Sequence, residues 1–455
     1  MRDFRSESFW LATLEEDLAP RPALQGQEEF DVAIIGAGYT GLWTAYYLLE
    51  HEPGLRVALC EAGISGIGAS GRNGGWCMGM AEGLEGLLDD PDTYEGAMEL
   101  SRALFGCVYE IKRVCDQEGI DCHFKKGGTL EVARVERQTE EQLAHVGQMK
   151  EWGFSPGDYQ CLSESELNER FRVPGGKSAL YSPHVAAIHP ARLVRGLAQA
   201  VESRGARIFE NSAVRRIQRG QIETDEGRIR TDWIVVATEA YTPRLPGYKR
   251  RMAPMHSMMV ATEPLSTGLW EEIGLKERET FSGSGLIATY GQRTADDRIA
   301  YGTRGFYCYG SGIRERFLPT HPIFKQVQES LLDLLPVLRD VEITHRWGGP
   351  LGLPRDRVPA VCADGESRIA MAGGYLGEGV GASNLMGRTL ADLLTDQQTD
   401  RVRFPWVGQG FSQWEPEPLR WIGITAARMA MDRMDQKESA GKAPSRWMKW
   451  LLDRL

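Results

Sequence analysis

A chain of 455 residues is longer than one ordinary hydrophobic core, so two domains are expected. With 42% hydrophobic and 25% charged residues it reads as globular, and a formal net charge of −10 argues against a nucleic-acid surface. The eight cysteines (60, 77, 107, 115, 122, 161, 308 and 362) form no C-x-x-C pair and stand beside no histidine cluster, so neither zinc nor a redox dithiol is expected.

Met1 to Glu7 is too polar for a signal peptide, and there is no apolar run of bilayer length. The expectation is a cytoplasmic protein without stable membrane insertion. Within residues 1 to 28, Phe9, Trp10, Leu11 and Leu14 form a candidate packing anchor, and Pro20-Arg21-Pro22 breaks any helix before the first strand.

Phe30 to Glu61 reads as a complete strand, glycine turn, helix, strand unit for a dinucleotide. Val32 to Ile35 gives a buried strand, Gly36-Ala37-Gly38-Tyr39-Thr40-Gly41 the turn, and Leu42 to Leu49 an apolar helix. Arg56 to Cys60 is a second strand ending in Glu61. Gly36 serves the tight turn, Gly38 the approach of a pyrophosphate, Gly41 close helix packing, and Glu61 the ribose hydroxyls. The helix start adds N–H groups and a positive dipole end.

A second glycine run, Gly66 to Gly75, follows at once, with Arg72 and Asn73 as donors toward a flat ligand. Helices are expected from Asp92 to Glu118 and from Glu136 to Trp152, with a strand at Gly128 to Ala133 between them. Ala191 to Arg204 reads as a helix, Ala206 to Glu210 and Val214 to Gln218 as strands, and Gln221 to Thr231 as a hairpin. Trp233 to Thr238 is an apolar strand whose C-terminal end faces ligand in a doubly wound fold. Met252 to Thr262, Gly285 to Tyr290 and Arg298 to Thr303 give strands of a second, inserted sheet, followed by a helix at Ile323 to Leu335. Arg368 to Ala372 returns to the first core, and Gly373 to Gly381 forms a third glycine loop before a helix from Ala382 to Leu394. That helix start suits the negative pyrimidine side of a reduced flavin. Pro444 to Leu455 has a short amphipathic pattern, read as docking on its own domain.

Together these segments resemble the D-amino-acid oxidase superfamily, most closely its gamma-glutamylputrescine oxidase-like branch. The resemblance rests on Gly36 to Gly41 with Glu61, Gly68 to Gly75, Val235-Val236-Ala237-Thr238, Trp347-Gly348-Gly349-Pro350, Arg355-Asp356-Arg357-Val358-Pro359, Gly373 to Gly381 and Trp414 to Leu419. It implies an α/β fold: a Rossmann-like, glutathione-reductase-type FAD-binding domain (residues 1–90, 184–250 and 340–455) with an inserted mixed-sheet α+β substrate domain (91–183 and 251–339). It further implies FAD held by Gly36, Gly38, Tyr39, Thr40, Gly41, Glu61, Ala62, Ser70, Gly71, Arg72, Asn73, Gly74, Val214, Ala237, Thr238, Gly374, Gly377, Glu378, Gly379 and Val380. The neighbourhood of Trp347 has no cysteine, so noncovalent FAD is expected.

Relatives that oxidise alpha-amino acids place an arginine after the tryptophan-glycine segment, where this chain has Pro350 and Leu351. An amine without an adjacent carboxylate is therefore the expected substrate. Its carbon would give hydride to the flavin, and the imine would hydrolyse, with oxygen as the acceptor. His256, Arg72 and Glu378 are the catalytic candidates, and Tyr290, Tyr307, Tyr309 and Trp347 the substrate-binding ones. A dehydrogenase serving a quinone or carrier, and a flavin-binding protein without turnover, stay open as alternatives.

Overall fold

The computed structural model describes residues 3–408 and 410–439, so the amphipathic pattern at Pro444 to Leu455 lies outside the described residues. Strand β1 (Gly26–Ile35), helix α1 (Tyr39–His51) and strand β2 (Val57–Cys60) form the expected unit, with β1 and β2 parallel. The last four residues of β1 and all of β2 are buried, because this sheet is covered on both faces and its strands are apolar without alternation. On β1's other side runs β3 (Gly227–Val236), in parallel register from Gly26 opposite Gly227 to Ile35 opposite Val236. The hairpin and the apolar strand expected separately at 221–231 and 233–238 are thus joined: the first half of β3 pairs antiparallel with Gln221–Glu223, and the strand then continues into the core. Ile369–Gly373 adds to β3, Ala360–Asp364 closes that edge antiparallel, and Arg207–Phe209 closes the other.

The second sheet has eight strands in the order Ile343–Leu353, Ala253–Thr262, Ile299–Tyr307, Thr289–Arg293, Thr280–Gly283, Thr129–Ala133, Ser178–Ser182 and Gln160–Ser163. Its second strand, Ala253–Thr262, is β4, and its edge strand Ile343–Leu353 is β5. A separate core of Leu130, Val132, Phe171, Phe281, Tyr301 and Phe324 fills one face.

Two local expectations change. The segment 284–288 is a loop, and the strand begins at Thr289; Asp435 of the helix Leu419–Ser439 accepts the Leu286 and Ile287 N–H groups at 2.8 Å, which takes them out of any ladder. Trp347 to Pro350 lies inside β5, antiparallel to β4, on the far side of the expected boundary at residue 339. Proline is tolerated there because β5 is an edge strand.

The N-terminal anchor joins the two halves. Ser8 caps the short helix Phe9–Ala12, whose Phe9, Trp10 and Leu11 are buried against Ile64, Ala191, Met259 and Trp347. Ser8 Oγ and Trp10 Nε1 each donate at 2.8 Å, to the carbonyls of Gly71 and Asn73, and so tie the second glycine run to this cluster.

Candidate active site

A cleft of about 720 Å³ runs from the C-terminal ends of β1, β2 and β3 to the face of the second sheet. At its nucleotide end, Gly36, Gly38, Tyr39, Thr40, Glu61, Ala62, Val214, Ala237 and Thr238 all line the wall. Gly36 has φ +104°, and a Cβ there would lie 2.6 Å from the Ala237 carbonyl oxygen. A Cβ on Gly41 would lie 2.1 Å from the Gly36 carbonyl oxygen and 3.1 Å from Ile34, so this glycine lets α1 close on β1 without itself reaching the cleft. The start of α1 has Gly38 as its N-cap, which offers no side chain; Ser70 Oγ accepts from Tyr39 N at 2.9 Å, and the following N–H groups face the cleft end. Glu61 accepts from Ala37 N at 3.0 Å and Gly63 N at 2.9 Å; burial pushes its carboxyl above the usual range.

The middle of the cleft is the second glycine run. Ser70, Arg72, Asn73 and Gly74 line it, whereas Gly71 is packed behind it, where a Cβ would meet the Gly66 carbonyl oxygen at 2.4 Å. Asn73 spends its side chain locally, donating to the Ala69 and Ser70 carbonyls and accepting from Gly75 N. Arg72 is buried, and its guanidinium is consumed by Glu7 at 3.1 Å and by the carbonyls of Ile67 and Gly348 at 2.8 and 3.2 Å. The catalytic expectation for Arg72 is thereby corrected: Glu7 and the backbone carbonyls of Ile67, Glu315 and Gly348 hold its guanidinium, and it braces the cleft wall beneath Gly349.

The third loop places Gly377, Glu378, Gly379 and Val380 in the wall at the start of helix α2 (Gly379–Leu394), which has no side-chain cap. Gly374 does not line the cleft; with φ +79° it turns the chain against Pro354 and Phe411. Glu378 has one carboxylate oxygen, Oε2, buried without a hydrogen-bond partner. Burial first, then the neighbouring Glu82 charge, push its carboxyl up to about 8, with Arg304 opposing. Arg304 itself is paired to Glu82.

Strand alternation decides the remaining candidates. On β4, Ser257 faces the cleft and hydrogen-bonds Tyr290, whose ring stands edge-on to Trp76; both aromatics line the wall. His256, the next residue, points to the opposite face and is fully buried. Its Nδ1 lies 3.2 Å from the Phe306 carbonyl oxygen, its Nε2 accepts from Arg314 N at 3.0 Å, and its ring stacks on Phe306. Burial lowers its pKa, so it is a neutral, satisfied core histidine, and its catalytic expectation is corrected. Tyr307 also leaves the site: its hydroxyl donates to Glu417 at 2.6 Å. Tyr309 is 62% exposed and meets Trp421 on the surface. Trp347 is buried in the N-terminal anchor cluster and donates from Nε1 to the Arg72 carbonyl at 2.9 Å, so it supports the wall without lining it.

Three carboxylates were missed in the sequence reading. Glu82 and Glu131 line the substrate end. Glu239, at φ +44°, accepts from Gly352 N at 2.5 Å and from Gly374 N and Tyr375 N at 3.1 and 3.3 Å, which clamps β5 to the third loop; burial raises its pKa. Its position just after the Val235 to Thr238 strand end was the available signal.

Two helix starts without a cap from their own N-cap residues, a glycine-lined wall and a buried acid at the end of β2 suit an extended dinucleotide. The DAO family pattern, described as FAD dependent oxidoreductase, matches residues 31–393. Gamma-glutamylputrescine oxidoreductase of Escherichia coli (strain K12) is 30% identical over 400 residues, covering 85% of this chain and 88% of that protein. The probable oxidoreductase OrdL of Rhizobium meliloti (strain 1021) is 29% identical, over 83% of this chain and 86% of its own length. Glycine oxidase from Geobacillus kaustophilus shares the fold at TM-score 0.66 and 22% identity, over 82% of this chain and 96% of that one. The chain belongs to the DAO family of FAD dependent oxidoreductases, and FAD is its cofactor.

Proposed function

We propose that the protein oxidises a CH–NH bond of an amine, in the class of polyamines and gamma-glutamyl-amines, to an imine that water hydrolyses to an aldehyde plus an amine or ammonia. Oxygen is the proposed acceptor. The observation that carries this reading is Glu378: a carboxyl in the cleft wall with a buried, unpartnered oxygen, beside an arginine already paired. An ammonium ion fits such a group, whereas an amino-acid carboxylate would have to displace Glu82 from Arg304. The name of the E. coli relative supports an amine of this kind.

FAD, when bound, supplies the hydride acceptor for the carbon bearing the amine. Gly36, Gly38, Tyr39, Thr40, Glu61, Ala62, Val214, Ala237 and Thr238 would hold its adenosine and pyrophosphate. Ser70, Arg72, Asn73, Gly74 and the Gly377 to Val380 loop would hold the ring system. The α2 start, with its positive dipole end, favours charge developing there. In its ionised form, whose share grows as pH rises through about 8, Glu378 accepts an N–H of the incoming ammonium at Oε2 and then its proton, leaving the lone pair that drives hydride loss. Tyr290 and Trp76 wall the amine in, and Ser257 fixes the Tyr290 hydroxyl. The eight unpaired cysteines suit a reducing compartment, and we place the protein in the cytoplasm. Among the described residues no helix is long and apolar enough to cross a membrane.

The test is anaerobic addition of polyamines, gamma-glutamyl-amines, N-methyl amines and alpha-amino acids to the FAD-loaded protein, followed by flavin absorbance. Bleaching by an amine that lacks an adjacent carboxylate is expected. Bleaching by alpha-amino acids alone would refute the amine assignment, and fast bleaching with slow recovery in air would move the acceptor to a quinone or carrier.

A further inference from the structure

We propose that the outer part of the substrate end is a second cation subsite, with Glu131 as its specificity-determining residue, and that the substrate carries another ammonium several bonds from the one oxidised. This rests on the amine reading of the same cleft. Glu131 lies in the middle of strand Thr129–Ala133, opposite Ser282 in the parallel pair, and both residues line the cleft. Alternation sends its neighbours Leu130 and Val132 into the second core and leaves Glu131 on the cleft face.

The carboxylate is aimed. Ser284 Oγ donates to its Oε1 at 2.5 Å. The buried Gln142 holds that serine in turn, its Nε2 donating to Ser284 Oγ at 2.9 Å and to the Glu131 carbonyl at 2.7 Å, while its Oε1 accepts from Ser178 at 2.8 Å. A polar chain behind one carboxylate fixes its direction at little entropy cost on binding.

Charge then selects the ligand. The acids of the substrate end are Glu82, Glu131 and Glu378, and its cation is Arg304, which Glu82 occupies. One substrate ammonium answers Glu378, and Glu131 still faces the cleft. A monoamine with an apolar tail would cover Glu131 and strip its water without a partner, and a distal carboxylate with no ammonium beside it would be repelled. A second ammonium meets both demands.

The test compares anaerobic flavin reduction by 1,4-diaminobutane, 1-aminobutane and 4-aminobutanoate in the FAD-loaded wild type and in Glu131→Gln. In the wild type, apparent affinity should fall about tenfold from the diamine to the monoamine, the worth of one charge-assisted hydrogen bond, and further for 4-aminobutanoate. Glu131→Gln should weaken the diamine about tenfold at unchanged limiting rate and leave the monoamine as it was. Equal wild-type affinities for diamine and monoamine, or an equal effect of the substitution on both, overturns the subsite while the amine reading stands. If no amine bleaches the flavin, the amine reading fails and the subsite falls with it.

Discussion

The two ends of the cleft are built differently. The nucleotide end comes mostly from one continuous stretch, Gly26 to Gly75, in which each wall residue is placed by its own turn or helix start. The substrate end is assembled from Trp76, Glu82, Glu131, Ser257, Tyr290, Arg304 and Glu378, which lie on strands and loops far apart in the chain. Local backbone geometry therefore governs the first end, and strand register and alternation govern the second. Substitutions should fail in correspondingly different ways.

The largest effect is expected at the nucleotide end. Gly41→Val would drive a branched side chain into the Gly36 carbonyl oxygen, which a Cβ alone would approach to 2.1 Å. Overpacking of this kind costs about 1–3 kcal/mol or more, and here it moves the turn itself. Purified Gly41→Val should lack flavin absorbance and melt well below wild type; full FAD occupancy at wild-type stability would break the comparison.

At the substrate end, Glu378→Gln should keep FAD and lose turnover. Removing a proton acceptor of this kind costs on the order of a hundredfold in reduction rate. The pH dependence has a defined sign. The folded carboxyl titrates at about 8, above its ordinary value of 4.5. Its contribution to stability is therefore full below the ordinary value and is lost as pH rises through about 8, because the folded state holds the proton that the unfolded chain has released. Thermal unfolding across that window should show this downward slope in wild type and a shallower one in Glu378→Gln.

Smaller effects separate wall from core. His256→Phe should cost about 1–3 kcal/mol, since the Arg314 N–H loses its buried acceptor, yet leave the flavin reduction rate unchanged at every pH. A reduction rate that fell with His256 would return it to the chemistry. Trp347→Phe removes the 2.9 Å bond to the Arg72 carbonyl, worth about 1 kcal/mol, and part of a buried indole ring, and should lower the melting temperature with FAD retained.

This contrast also explains what could be read from the chain alone. The β1–α1–β2 unit, the three glycine segments and Glu378 were legible because glycines, a terminal acid and an apolar run are local signals. His256, Tyr307 and Tyr309 were misplaced because the sequence does not say which face of a strand looks toward a cleft made by another sheet. One residue separates Ser257 in the wall from His256 in the core. In the tryptophan-glycine segment the glycines let an edge strand pass over Arg72, with a Cβ on Gly349 only 3.0 Å from Arg72 Cδ. Glu82 and Glu131 carried no motif, and only tertiary pairing brings them to the cleft.

The most direct measurement is rapid anaerobic mixing of a bleaching amine with FAD-loaded wild type and Glu378→Gln, followed at the flavin band. The account predicts full reduction of the wild type and reduction about a hundredfold slower in the variant, with FAD still bound. A wild-type flavin band that no amine diminishes, or a variant reduced as fast as wild type, would contradict it.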